Sequence, residues 1–90
     1  PSVKDFKAIA SVPNNMIKLS WQYNELAVKN FVLYRKTEGD KIHVLEVIPG
    51  TAREYYDKAL KPATQYTYFL VAHFQDWKQS KMSDGVVVKY

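Results

Sequence analysis

Between Leu60 and Ala72 the chain reads Leu-Lys-Pro-Ala-Thr-Gln-Tyr-Thr-Tyr-Phe-Leu-Val-Ala, a stiff turn running directly into a stretch whose alternate residues are aromatic or aliphatic. Alternation of period two puts Tyr66, Tyr68, Leu70 and Ala72 on one face of a strand, a pattern no helix can use. Pro62 restricts the backbone just ahead of it. Leu60, Pro62 and Tyr66 have the spacing of a tyrosine corner, in which a Tyr at the start of a late strand returns its hydroxyl to a backbone group just upstream. This segment constrains the fold more than any other.

The same alternation recurs in Met16-Ile17-Lys18-Leu19-Ser20-Trp21-Gln22-Tyr23, with Ile17, Leu19, Trp21 and Tyr23 on one face and Lys18, Ser20 and Gln22 on the wet one. That is the pattern of a half-buried antiparallel strand. Val12-Pro13-Asn14-Asn15 reads as the turn before it, preceded by a strand carrying Phe6 and Ala8. Asn30 to Lys36 and Ile42 to Val47 form a hairpin across Thr37-Glu38-Gly39-Asp40-Lys41. Pro49-Gly50-Thr51 marks another turn, Arg53 to Asp57 a short strand, Tyr66 to Phe74 a long one, and Val86 to Lys89 the last. No stretch sustains a helical apolar period. About seven short strands predict an all-β, two-sheet antiparallel sandwich.

Ninety residues make one domain, 1–90, and a chain of this length buries only about two thirds of its unfolded surface. Its core must therefore use large side chains, and seven Tyr, four Phe and two Trp supply them. With no cysteine, a disulfide framework, a thiolate metal site and a Cys nucleophile are all excluded. The core is expected to hold Leu19, Trp21, Leu33, Leu60, Pro62, Tyr66, Tyr68 and Leu70. Because the chain opens on Pro1 rather than Met, it is expected to be a piece of a longer multidomain protein. No segment has the apolar length of a membrane helix, so membrane insertion is not expected.

These features together resemble a fibronectin type III domain, an immunoglobulin-like sandwich, along nearly the whole chain. Ile17, Leu19 and Trp21 look like the family's second strand, and Phe31 and Leu33 followed by Tyr34-Arg35 like its third. Tyr55, Asp57, Leu60, Pro62, Tyr66, Tyr68, Leu70 and Ala72 fit the signature running from the fifth strand into the sixth, and Ser83, Val86 and Val88 fit the last. Two departures stand out: Gln75-Asp76-Trp77-Lys78-Gln79-Ser80-Lys81 lacks the Gly common in that loop and carries a Trp, and no Arg-Gly-Asp occurs. The wording of Ala72 to Ser80 is similar to modules appended to bacterial glycoside hydrolases and related exported proteins. The resemblance implies a secreted or cell-surface, non-catalytic accessory module, monomeric when isolated, whose partners are neighbouring domains.

Residues that carry chemistry are sparse. The formal charge of +4 comes from basic residues scattered along the chain, and Arg35-Lys36 with Lys41 is interrupted by Glu38 and Asp40, which argues against nucleic acid. His43 and His73 fall on different strands without ligand spacing, so neither metal nor cofactor is expected. No nucleophile elbow or phosphate loop is present, Glu54 and Asp57 have no cleft to face across, and Asp57 is expected to cap the turn before Leu60. Two binding features remain. Trp77 in its loop is a candidate contact for a glycan or protein, set against the alternative that it folds back or packs on a neighbouring domain. With Phe31, Leu33, Tyr66, Tyr68, Leu70 and Ala72 facing inward, Val32, Tyr34, Phe69, Val71 and His73 make an apolar outer face. Tyr34, Phe69 and Val71 are its candidate contacts, set against plain cross-strand pairing.

Overall fold

Ile17, Leu19 and Trp21 alternate with Lys18, Ser20 and Gln22, and the strand they form turns the first three into a sheet-to-sheet interior at 0 to 3% exposure. The computed structural model describes residues 3–23 and 28–90. Seven strands follow in order: β1 (Lys4–Ser11), β2 (Met16–Gln22), β3 (Val28–Thr37), β4 (His43–Pro49), β5 (Glu54–Asp57), β6 (Gln65–Phe74) and β7 (Val86–Lys89). They pair as a three-stranded sheet, β1-β2-β5, and a four-stranded sheet, β4-β3-β6-β7, with every pairing antiparallel. Among the described residues no helix is long and apolar enough to cross a membrane.

Between the sheets lie Ile17, Leu19, Trp21 and Tyr23 from one side and Phe31, Leu33, Ile48, Tyr66, Tyr68, Leu70, Ala72 and Val88 from the other. Rings meet in a chain, edge to face in three pairs and tilted in the fourth, Tyr23 with Phe74. Phe6 lies 6.3 Å from Trp21, Trp21 5.4 Å from Phe31, and Tyr23 6.1 Å from both Phe31 and Phe74. Edge-to-face rings match quadrupoles as well as burying area, each pair adding about 0.5–1.5 kcal/mol. Trp21 Nε1 is buried with no hydrogen-bond partner among the described residues, so packing alone holds the ring.

The turns are built as their residues dictate. Val12–Asn14 forms one 3-10 turn ending on Asn15 in the left-handed region, which Asn tolerates better than most residues. Gly50 turns the chain where a Cβ would collide with the Val28 carbonyl oxygen. Arg53 lies just before β5 rather than within it: its guanidinium is spent on the carbonyls of Gly50, Ala52 and Tyr23 and stacks 5.3 Å from the Phe31 ring centre. The tyrosine corner forms as the spacing implies, with the Lys61 N–H donating to Tyr66 Oη at 2.7 Å. Pro62, expected in the core, is instead exposed. It shapes the turn from outside while Leu60, half-buried, packs against the core.

Beyond the start of β7, serine side chains continue the sheet. Leu70 N–H donates to Ser83 Oγ and Ala72 N–H to Ser80 Oγ, each at 2.9 Å. In return the Ser83 and Ser80 N–H groups donate to the carbonyls of Leu70 and Ala72. The inner edge of β6 is thus satisfied over a stretch where no strand pairs with it, as buried backbone groups require.

The termini of the described chain sit at opposite poles of a body measuring 40 × 25 × 18 Å. Lys4 pairs with Gln22, so Val3 lies at the pole of Tyr23, Gly50 and Phe74. Tyr90 donates its N–H to Thr64 O and its hydroxyl to Asn15 Oδ1, at the other pole. Truncating the central ring tests the packing: Trp21→Ala is expected to lose about 3–5 kcal/mol in urea denaturation, a large share of the stability of a domain this size. A loss under 1 kcal/mol would contradict the interior described.

Candidate functional site

One buried constellation of ionisable groups escaped the sequence reading. Asp57, at 1% exposure, closes β5 and faces the other sheet. Its Oδ2 accepts from Arg35 Nη1 at 2.8 Å and from Tyr68 Oη at 2.7 Å, while Oδ1 accepts the Ala59 N–H at 3.1 Å. The expected turn cap is therefore present, and it is the smallest part of what Asp57 does. Arg35 Nη1 also donates to Ala59 O at 3.0 Å, and its guanidinium lies 4.9 Å from the Tyr66 ring centre. Burial, followed by the hydrogen bond to Asp57 and that carboxylate's charge, pushes the Tyr68 hydroxyl well above its ordinary range. A carboxylate whose oxygens are all engaged and walled off from solvent offers nothing to a substrate, so this is a lock between sheets.

Elsewhere the titratable residues meet only in pairs near the surface. Burial, then the Glu46 charge, raises the Tyr55 hydroxyl. His43 stands exposed at the start of β4 opposite Arg35, whereas His73, half-buried, lies opposite Asn30 and bridges to Gln79. Among the described residues no group of three His, Asp or Glu side chains converges on a metal-sized space. Lys18 and Glu54 pair at 3.5 Å on the surface, a contact worth little in water.

Trp77 occupies the tip of the loop after β6. The loop closes through Phe74 N–H to Lys78 O at 2.8 Å and Trp77 N–H to Phe74 O at 3.2 Å. Its φ of 71° is left-handed, a conformation costing an L residue roughly 1–2 kcal/mol and ordinarily given to Gly in hairpin loops. The side chain is 90% exposed, so it does not fold back onto the sandwich. Lys29 from β3 places its ammonium 5.2 Å from the indole centre. Sequence gave no sign of Lys29, because only the β3–β6 pairing brings it beside the loop.

The outer face of the four-stranded sheet is less open than its pattern suggests. Val71, expected as a contact residue, is 2% exposed, flanked along β6 by the larger Phe69 and His73 and paired across to Val32. Tyr34 and Phe69 are half-buried, and register places them in one row with Val44. Phe69 rests on Gly85, where a Cβ would come within 2.9 Å of the ring. What remains exposed of the apolar surface is peripheral, Val44 and Val47 on edge strand β4 and Val87 on edge strand β7.

No model of a known protein family matches the sequence, and no curated protein matches it either. Among solved structures, a Fn3-like protein from Clostridium thermocellum superposes with a TM-score of 0.80 at 17% identity, covering 100% of this chain and 92% of that one. A pectate lyase from Pectobacterium carotovorum reaches 0.82 at 17% identity over 100% of this chain. A β-1,2-glucanase from Parabacteroides distasonis reaches 0.74 at 19% identity over 99%. The chain spans only 27% of the lyase and 12% of the glucanase.

Two measurements test these assignments. The unfolded Tyr68 hydroxyl ionises near 10.0, whereas the folded one holds its proton higher, so its stabilisation is complete below pH 10 and is lost as pH rises beyond. Tyr68→Phe is expected to cost about 1.5–3 kcal/mol at neutral pH. The gap to the parent should narrow above pH 10, and a gap constant to pH 11.5 would refute the assignment. Trp77→Gly removes the left-handed strain and an exposed cation–π contact of about 0.5–1 kcal/mol, so stability should hold or rise by up to about 1 kcal/mol. A clear loss would make Trp77 a structural residue.

Proposed function

With the fibronectin type III fold as its architecture, the chain is, we propose, a non-catalytic accessory module of an exported, bacterial multidomain protein, holding neighbouring domains at fixed distance and orientation. The observation that carries this is the placement of Val3 and Tyr90 at opposite poles of one filled, rigid sandwich. A domain joined at each pole is separated by the long dimension of the body, 40 Å. The mechanism is mechanical. The rigidity comes from the Asp57 lock, which ties one sheet to the other, and from the filled interior between them.

Similarity to segments of a pectate lyase and a β-1,2-glucanase supports a carbohydrate-active parent. Fold-level likeness at 17 to 19% identity supplies that idea only as analogy, since one fold hosts many roles. A second reading, a recognition module, is favoured by one observation: the exposed Trp77 is held at a strained position on the same pole as Val3. Trp77 there meets either a ligand or the domain joined before it, with the Tyr34 and Phe69 face as a lesser contact.

Capturing the native polypeptide with an antibody to this domain, and sequencing the flanking peptides by mass spectrometry, tests the first reading. A neighbour bearing a polysaccharide-cleaving cleft is the expected result. Tandem sandwiches with no enzyme in the chain would overturn the enzyme-accessory role and make the module part of an adhesive or receptor stalk.

A further inference from the structure

We infer that the Trp77 tip is a subsite for an acidic polysaccharide, in which one uronate ring stacks on the indole and its carboxylate meets the Lys29 ammonium beside it. This deepens, and rests on, the recognition reading of the Trp77 pole.

The loop position where backbone geometry favours Gly carries the bulkiest side chain available, at φ 71° and 90% exposure. Among the described residues nothing relieves the strain or covers the ring, which marks it as displayed rather than packed. Lys29 reaches over the ring from the neighbouring strand, its ammonium 5.2 Å from the centre. A flat, displayed aromatic face is the element that binds the C–H face of a pyranose ring.

The surroundings select among flat-faced binding modes. Gln75, Asp76, Lys78 and Gln79 around the ring are all polar and exposed. A protein-binding anchor or a membrane-inserting tip needs apolar neighbours to exclude water, and among the described residues the loop offers the ring none. Amide groups flanking a ring suit sugar hydroxyls instead. Charge then chooses the sugar: the Lys29 ammonium lies over the indole and Lys78 follows Trp77 in the chain, while the acid of the loop, Asp76, accepts the backbone N–H of Lys78 on Oδ1 at 3.2 Å. An ammonium group beside a stacking face complements a ring that carries one carboxylate per residue. Charge alone would draw any polyanion, so the ring and the cation must act together.

Affinity electrophoresis at low ionic strength tests this with the parent domain, Trp77→Ala and Lys29→Gln, each shown to be folded by its urea midpoint. The gels contain polygalacturonate, dextran sulfate or neutral dextran and galactan. The expected result is retardation of the parent by polygalacturonate, reduced at least threefold by Trp77→Ala and partly by Lys29→Gln, with little effect of the neutral polymers. Dextran sulfate should retard the parent and Trp77→Ala alike. Equal retardation of parent and Trp77→Ala by polygalacturonate would overturn the proposal in favour of plain charge attraction. Trp77-dependent retardation by a neutral glycan, equal to that by polygalacturonate, would overturn the acidic specificity while leaving recognition intact. Trp77-dependent sedimentation with phosphatidylglycerol vesicles, without any glycan shift, would replace the glycan by a membrane surface. No Trp77-dependent shift with any of these probes would overturn the glycan subsite.

Discussion

A carboxylate cannot be taken out of water between two sheets unless its charge and its lone pairs are met, and Asp57 is met from three directions. Arg35 reaches it from β3 and Tyr68 from β6, while Ala59 reaches it from the turn that leads to the tyrosine corner. Breaking a buried ion pair by deleting one partner costs about 3–5 kcal/mol, because the other charge is left stranded. The relative placement of β3, β5 and β6 is therefore coupled to one group. A slip of β5 by one residue would turn Asp57 away from Arg35 and leave both unsatisfied, a penalty that no gain in apolar contact at the same site offsets.

The tyrosine corner and this lock share parts. The Arg35 guanidinium lies over the Tyr66 ring, and Tyr66 takes the N–H of Lys61, two residues beyond Ala59. One end of the sandwich is thus tied by a polar network. The other end is held by rings, from Phe6 through Trp21 and Phe31 to Tyr23 and Phe74, with Arg53 stacked on Phe31 and donating to three carbonyls. The ring-held pole also carries Trp77. Display of a strained side chain is tolerable there because the strands beneath it are anchored independently of the loop.

That separation explains why scaffold and site were unequally readable. Ile17, Leu19 and Trp21, and again Tyr66, Tyr68, Leu70 and Ala72, announce their faces because a strand alternates strictly, so neighbouring letters carry the information. Trp77 was visible as an unusual loop residue, yet its left-handed backbone and its exposure depend on how the loop closes onto Phe74. Val71 read as an outward contact by the same alternation, correctly as to side. Its burial comes from Phe69, His73 and Val32 around it, which alternation does not describe.

Local pattern and turn chemistry determined, from the sequence by itself, the strands, the sandwich and the corner built by Leu60, Pro62 and Tyr66. These are short-range properties, written within a few residues of where they act. Only the tertiary structure decided that Arg35 and Tyr68 converge on Asp57, 22 and 11 residues away along the chain, and that Lys29 comes beside Trp77. It also decided that Ser80 and Ser83 stand in for a strand, and that Pro62 lies outside the core it was expected to join. Each of these depends on which strands become neighbours and in what register, and strand neighbourhood is settled by the packing of the whole sandwich.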